Sequence, residues 1–220
     1  MSPKTATIMA GQSQTYTATA YNKNGKSWDV STNPYVVWDI NSGAGTYVWT
    51  GNTVQVTKAG TWTVTATYKG KSDTAFLTVT ANVDKLECIT AFIYPTTVAA
   101  PNTATGTATA YDSYGNSWDV STLAVWSIPA GSDGGSWVQN VYTSHTAGNY
   151  FVQAAYKGKT ATATLTVTHA TDTSYLDHIV IAPKVSTVNV GVPQSYTATA
   201  YDTFGNSWSV TAAKVAQTPT

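Results

Sequence analysis

The stretch "YTATAYDTFGNSWSVT", residues 196–211, has two close counterparts earlier in the chain. Residues 106–121 read "GTATAYDSYGNSWDVS", and residues 16–31 read "YTATAYNKNGKSWDVS". The copies lie ninety residues apart, and self-similarity at a fixed period is the signature of repeated structural units. Each copy carries a Gly inside a polar turn, at 25, 115 and 205. We therefore predict tandem domains, each containing this strand and turn.

The rest of each repeat follows at a slightly shorter offset of 88. Trp38 matches Trp126, Gly60 matches Gly148, and "LTVT" recurs at 77 and 165. Two full copies are predicted at 1–81 and 84–169. A third, partial copy is predicted at 173–220.

Alternating apolar and polar residues define the predicted strands. In "TWTVTATY", residues 61–68, the side chains of Trp62, Val64, Ala66 and Tyr68 share one face and Thr fills the other. This period of two is typical of a half-buried strand. About seven short strands in each repeat, separated by turns, predict an all-β fold of two-sheet sandwiches.

Composition excludes several classes of protein. Only 10% of the residues are charged and the net charge is zero, so the chain has no electrostatic footprint for nucleic acid. No apolar run is long enough to span a bilayer as a helix. The single Cys88 cannot form a disulfide within the chain. We predict no nucleic-acid partner, no membrane span and no cofactor.

Three segments carry a resemblance to a known family: "GQSQTYTATAYNKNGKSWDVS", "VVWDI" and "AGTWTVTATYKGKSDTAFLTVT". They resemble the bacterial and archaeal immunoglobulin-like domains of surface proteins, of the invasin and intimin type. The resemblance implies tandem Ig-like β-sandwiches, two complete and one partial. It also implies that Trp38 and Trp126 are the buried Trp of the third strand. Unlike antibody domains, these repeats have no cysteine pair between their sheets.

The candidate chemical groups do not form a catalytic pattern. The histidines are His145, His169 and His178, and no Ser/His/Asp arrangement, paired carboxylates or phosphate loop accompanies them. We predict that the protein is not an enzyme.

The turn of the second copy offers oxygen ligands for calcium in Asp112, Asn116 and Asp119. The first copy has Lys26 within the corresponding set, which favours a purely structural turn. Trp28, Trp118 and Trp208 follow these turns; packing is the favoured role, and a platform for a sugar ring is the alternative.

The two ends of the chain differ in the register of the repeat. "SPKTATIMAG" at 2–11 aligns with "APKVSTVNVG" at 182–191, so the first copy is predicted to lack its first strand. The third copy has that strand, but Ala216 stands where Trp126 is expected. We predict that the segment from Tyr175 is donated to the first copy of another subunit, with Leu176, Ile179 and Ile181 at the interface. The alternative is a fragment of a longer third domain.

These features predict an extracellular structural protein, a cell-surface stalk or filament subunit assembled head to tail by strand addition. The predicted partner is a second copy of the chain. The alternative is an adhesin or carbohydrate-binding module with a glycan or cell-surface ligand. A third class is an accessory segment of a secreted enzyme. The N-terminal "MSPKTATIMAG" does not read as a secretory signal.

Overall fold

The computed structural model of the chain describes residues 1–128 and 134–211. These residues form short strands and three single 3₁₀ turns, at Ser42–Ala44, Val83–Lys85 and Thr173–Tyr175. Within the described ranges, no helix has the length and apolar character needed to cross a membrane. The prediction of an all-β fold is confirmed.

The first repeat contains nine strands in two layers. They are β1 (Thr5–Met9), β2 (Ser13–Thr15), β3 (Thr19–Tyr21), β4 (Ser27–Asp29), β5 (Val36–Ile40), β6 (Tyr47–Thr50), β7 (Thr53–Val56), β8 (Gly60–Tyr68) and β9 (Lys71–Thr80). One sheet has the order β1-β9-β8-β5, in which β1 pairs with β9 in parallel. The other layer consists of β2-β7-β6 together with the hairpin β3-β4.

The second repeat also has nine strands. They are β10 (Leu86–Tyr94), β11 (Thr97–Ala99), β12 (Thr103–Asp112), β13 (Ser117–Asp119), β14 (Val125–Ser127), β15 (Ser136–Val138), β16 (Val141–Thr143), β17 (Gly148–Tyr156) and β18 (Lys159–Thr168). One sheet has the order β11-β18-β17-β14. The other has the order β10-β12-β16-β15, with β13 on β12. One strand, β12, covers the positions of β2 and β3, and the additional strand is β10, which has no counterpart among the described strands of the first repeat.

The third repeat is described as a single sheet. Its strands are β19 (Leu176–Ala182), β20 (Thr197–Asp202) and β21 (Ser207–Ser209), in the order β19-β20-β21. The expected substitution at Ala216 lies outside the described residues. The described residues thus form Ig-like β-sandwich domains in the first two repeats and a three-stranded sheet in the third.

Contacts divide the chain into two compact units. The first comprises Met1–Ile89 and Thr109–Asp119, and the second comprises Thr90–Ala108 and Val120–Thr220. The turn of the second repeat therefore belongs to the unit that contains the first repeat. The domain limits 1–81, 84–169 and 173–220 stay a prediction based on sequence.

Alternation along the strands builds each core. In β8 and β9, Val64, Leu77 and Val79 are buried, while the Thr residues between them are mostly exposed or half-buried. The equivalent Val152 and Leu165 are buried in the second repeat. Burial of these apolar faces supplies most of the driving force for folding, so each core depends on packing between the sheets.

The two cores place their largest side chains differently. Gly106 stands at the position of Tyr16, and a Cβ at Gly106 would lie 2.6 Å from the ring of Trp126. Tyr142 stands at the position of Val54, and both are fully buried. The second repeat thus fills with Trp126 and Tyr142 the volume that the first repeat fills with Tyr16.

This exchange explains why the matched tryptophans differ in burial. Trp126 is buried as expected, 5% exposed, and stacks on Trp137 with ring centroids 5.7 Å apart. Trp38 is only half-buried, since the ring of Tyr16, 6.2 Å away, holds the space beneath it. Each indole still donates to an equivalent carbonyl, Ser31 O at 3.2 Å and Ser121 O at 2.8 Å.

Candidate functional site: the turns and the open edge

The turn of the second repeat, residues 112–116, is closed by one carboxylate oxygen. Asp112 Oδ1 accepts hydrogen bonds from the backbone N–H groups of Tyr114 and Asn116, both at 2.9 Å. Gly115, with φ of 82°, supplies the left-handed residue that the turn requires. Asp112 and Asn116, at the two ends of the turn, are buried, while the residues between them are exposed.

The second carboxylate oxygen and the Asn side chain bind the first repeat. Asp112 Oδ2 accepts from the backbone N–H of Asn82 at 2.8 Å. Asn116 Nδ2 donates to Thr57 O at 2.8 Å, and Asn116 Oδ1 accepts from Ala59 N at 2.7 Å. We call this Asp-x-x-Gly-Asn segment the clamp turn, because its two polar side chains hold a loop and a linker of the preceding repeat.

The clamp turn of the third repeat, residues 202–206, makes the same contacts in the second unit. Asp202 Oδ2 accepts from Ala170 N at 2.9 Å. Asn206 Nδ2 donates to His145 O at 2.8 Å, and Asn206 Oδ1 accepts from Ala147 N at 2.6 Å. Asp202 and Asn206 are buried. Two independent occurrences of one geometry indicate a repeated joint.

The first repeat has the turn without the clamp. Asn22 Oδ1 accepts from the N–H groups of Asn24 and Lys26, at 3.0 Å each, so the local turn is preserved. Asn22 carries an amide nitrogen in place of the second carboxylate oxygen, and Lys26 replaces the clamping Asn. The whole turn is exposed. The amide nitrogen of Asn22 and the ammonium group of Lys26 are hydrogen-bond donors, so neither can accept a backbone N–H as Asp112 Oδ2 and Asn116 Oδ1 do.

Asp112 and Asp202 are held in the ionised state. Burial raises the pKa of each carboxyl, but hydrogen bonds from the backbone and from the clamping Asn lower it more, and both pKa values lie below the usual range. A carboxylate that accepts several N–H bonds stabilises its charged form.

Calcium would compete with these hydrogen bonds. Asn116 directs its amide nitrogen towards Asp112 Oδ2 at 2.9 Å, and its oxygen already accepts from Ala59. Among the described residues, no group of three His, Cys, Asp or Glu could hold a metal ion. The turn geometry therefore favours the structural role over the calcium role of Asp112, Asn116 and Asp119.

We expect millimolar calcium to leave the melting temperature of the protein unchanged. Binding would have to break the contacts of Asp112 with Asn82 and Asn116 before any ligand oxygen became available. Calorimetric melting with calcium and with a chelator tests this. A melting temperature that rises with calcium concentration would return Asp112 and Asn116 to the role of ligands.

The first unit also contains an open groove of about 480 Å³ along β3. Ala20, Val30 and Ala66 line it, together with the rings of Trp28 and Tyr68. The side chains of Val30 and Ala66 belong to a small core cluster on which the half-buried Trp38 packs. The groove is therefore an unfilled extension of the core.

The third repeat shows which strand belongs in such a groove. In it, β19 pairs with β20 so that Ile179 lies opposite Ala200 and Ile181 opposite Ala198. Residues 17–21 and 197–201 have the same sequence, TATAY. The bridge between Ser2 and Thr17 corresponds to the pair Ala182–Thr197. Met1 thus stands at the position of Ile181.

The three residues predicted at an interface lie on β19 and are partly exposed. Leu176 is 41% exposed, and Ile179 and Ile181 are each 54% exposed. Their strand is paired with β20 of the same repeat. Their role between subunits stays a prediction.

The tryptophan that follows the turn in all three copies has a different environment in each repeat. Trp28 is 41% exposed and lines the groove, Trp118 is half-buried, and Trp208 stacks on His169 at 4.1 Å. His145 and His178 also stack on rings, those of Phe204 and Tyr201. The histidines are thus held in ring contacts within the second unit.

Sequence reasoning did not find the clamp turn. It assigned Asp112 and Asn116 to local turn capping, which accounts for only half of their hydrogen bonds. The available signal is the substitution pattern: Asp and Asn stand in the second and third copies, and Asn22 and Lys26 stand in the first.

Comparison with known proteins yields structural matches alone. No protein-family model matches the chain, and no curated protein matches it. Among solved structures, domains 5–6 of the S-layer protein SbsC align with a TM-score of 0.32 at 16% identity, over 78% of this chain and 96% of that one.

Two further structures have longer chains. The Escherichia coli adhesin FdeC aligns with a TM-score of 0.47 at 18% identity, over 77% of this chain and 62% of that one. The N-terminal four Ig domains of Dscam1 isoform 6.44 align with a TM-score of 0.36 at 10% identity, over 77% and 44%. At these values the fold assignment rests on the strand order and the buried tryptophan described above.

Proposed function

We propose that this chain is an extracellular structural protein of the cell surface, a stalk or filament subunit whose copies join head to tail by strand addition. The observation that carries the proposal is the open groove along β3, because the equivalent strand of the third repeat, β20, pairs with β19. The clamp turns support the same role, because they join consecutive repeats by buried, directional hydrogen bonds.

Exchange of β19 between partners preserves its backbone pairing. The acceptor residues 17–21 are identical in sequence to residues 197–201, so the new ladder has the register of the old one. In the groove, Ile179 would also meet Val36, Ala66 and Tyr68 of the opposing sheet. Completing the burial of a half-exposed Ile contributes about 1 kcal/mol, which favours the exchanged state.

The donated strand can continue past Ile179 only if Met1 leaves the position that corresponds to Ile181. It is held by the bridge between Ser2 and Thr17 and by the ammonium group, which lies 2.7 Å from the half-exposed Asp73. Exposed ion pairs contribute at most about 1 kcal/mol. Ile181 of the donor then replaces the side chain of Met1 in the same core position.

An N-terminal extension tests strand addition directly. Because Met1 occupies the Ile181 position, adding the sequence LDHIV before Met1 places a copy of residues 176–180 in register with the groove. We expect the unmodified chain to form oligomers that lengthen with concentration. We expect the extended chain to stay monomeric and to melt at a higher temperature.

The matched control carries LDHDV in place of LDHIV, so that a charge enters the groove. It should assemble as the unmodified chain does. Ile179→Asp in the unmodified chain should abolish assembly, measured by light scattering and electron microscopy. Strand addition is refuted by an unmodified chain that stays monomeric at high concentration, or by an LDHIV extension that changes neither assembly nor melting.

A second candidate function is glycan binding, favoured by one observation. Trp28 exposes its ring beside the groove, and an apolar ring face with an N–H donor suits a sugar. A glycan array with the unmodified chain and with Trp28→Ala decides it: binding that disappears in the variant supports this role, and no binding at all excludes it.

A further inference from the structure

Charge is unevenly distributed along this neutral chain. Residues 1–81 contain six Lys and three Asp, a net charge of +3. Residues 82–220 contain five Lys, seven Asp and one Glu, a net charge of −3. Head-to-tail contact between two copies therefore brings a positive partner to a negative one, a pattern that raises association rates.

The positive charge of the first repeat surrounds the open groove. Lys69 and Lys71 line it, and Lys23 and Lys26 lie in the exposed turn that follows Tyr21. We call these four residues the basic rim.

The acid beside the rim is already neutralised. Asp73 lines the groove, but Lys4 Nζ lies 2.6 Å from its carboxylate. The hydrogen bond from Lys4, with that from the N-terminal ammonium, lowers the pKa of Asp73 to about 2. Asp73 is therefore ionised and paired, and the four lysines remain available to a partner.

The segment that contains β19 carries the complementary charge. Asp172, which caps the 3₁₀ turn before β19, and Asp177, within β19, are both exposed. Asp177 Oδ2 lies 2.7 Å from His178 Nδ1 of the same strand. In the third repeat, Thr203 N donates to Tyr175 O at 2.8 Å. Lys23 holds the position of Thr203 in the first repeat, so the same register brings Tyr175 of a donor beside Lys23, with Asp172 and Asp177 three and two residues away along the chain. The clamp turn of the third repeat, residues 202–206, contains no Lys, and offers β19 no such contact.

The other strand of this type, β10, is a poor donor. Its segment has Glu87 at the position of Asp177, but it also has Lys85 at the position of Tyr175, which would meet Lys23 with like charge. Ile89 and Ile93 of β10 are 6% and 1% exposed, already buried in the sandwich of the second repeat. Burial therefore favours β19 as the donor.

We propose that the basic rim selects β19 of a second copy through Asp172 and Asp177. This inference rests on the strand addition proposed above and names its specificity. Exposed charges act mainly on the rate of encounter and are screened by salt. The rim should therefore control how fast copies join, while the apolar strand face controls whether they stay joined.

The experiment measures the initial rate of assembly of the full chain at about 0.01 M and about 0.5 M salt. For the unmodified chain we expect a rate at least about tenfold higher at low salt. Lys23→Glu with Lys26→Glu should remove that advantage, and so should Asp172→Lys with Asp177→Lys. The variant that carries all four substitutions should regain the faster assembly at low salt. Lys157→Glu with Lys159→Glu, at the positions of the second repeat that match Lys69 and Lys71, is the control and should keep the faster assembly at low salt.

The outcomes separate the two proposals. Polymers that form at the same rate at both salt concentrations, or charge-reversed variants that keep the advantage, overturn selection by the rim while strand addition stands. A chain that forms no polymer under any condition overturns strand addition, and the rim proposal with it.

Discussion

Replacing Trp126 with alanine will lower the free energy of unfolding by about 3–5 kcal/mol, the range for a fully buried Trp truncated to Ala. Its ring is 5% exposed, stacks on Trp137 and covers Gly106, which has no side chain to fill the space left behind. Denaturant unfolding of the full chain, with hydrogen exchange in β17 and β18 to localise the loss, measures the effect.

The matched control is Trp38→Ala in the first repeat. It should cost less, because Trp38 is half-buried and Tyr16 remains beneath it. Equal losses for the two variants would contradict the different packing of the two cores.

Replacing Asp112 with asparagine will lower the free energy of unfolding by about 2–4 kcal/mol, because a buried partner of several N–H groups is lost. The variant keeps the size of the side chain but presents an amide nitrogen to a donor, either Asn82 N or Asn116 Nδ2. Asp202→Asn should act in the same direction in the second unit. Thermal melting of each variant measures the loss.

The control for the clamp is Asn22→Asp, at the corresponding position of the exposed turn. It should change stability by no more than about 0.5 kcal/mol, as surface substitutions usually do. If Asn22→Asp and Asp112→Asn lowered the free energy of unfolding by similar amounts, the loss would come from the turn itself and not from the hydrogen bonds to the preceding repeat.

The dependence of stability on pH has a definite sign. The pKa of Asp112 and that of Asp202 are lowered by folding, so their contribution is fully present above the unfolded value of about 3.9. It is lost as the pH falls below that value through the folded pKa. Asp112→Asn should therefore flatten the acid limb of the stability curve. An unchanged acid limb in the Asp112→Asn, Asp202→Asn double variant would contradict this assignment.

Local pattern was sufficient for the strands and the fold class. Alternation in residues 61–68 placed Trp62 and Val64 on the buried face, because a strand exposes one face to the core whatever its neighbours are. The difference between Trp38 and Trp126 could not be predicted so simply, because it depends on Tyr16 and Gly106, twenty or more residues away in sequence from the Trp they contact.

The hydrogen bonds between repeats could not be predicted for a related reason. In a turn that begins with Asp and ends with Asn, the two side chains can bond to backbone groups of the turn itself, so the local sequence indicates no further partner. Only the fold brings Asn82 to Asp112 and Thr57 to Asn116. The register of the copies does not indicate that Met1 already holds one of the positions along the groove.

The unequal cores also bear on how neighbouring repeats avoid exchanging halves while they fold. Adjacent domains of similar sequence are prone to misassembly. A hybrid of the segment of Tyr16 with the strands of Trp126 and Tyr142 would crowd three large rings into one core. The opposite hybrid would set Gly106 against Val54 and leave a void. Overpacking and cavities both cost stability, so side-chain volume lets each nascent repeat recognise its own strands even where "TATAY" is the same in both.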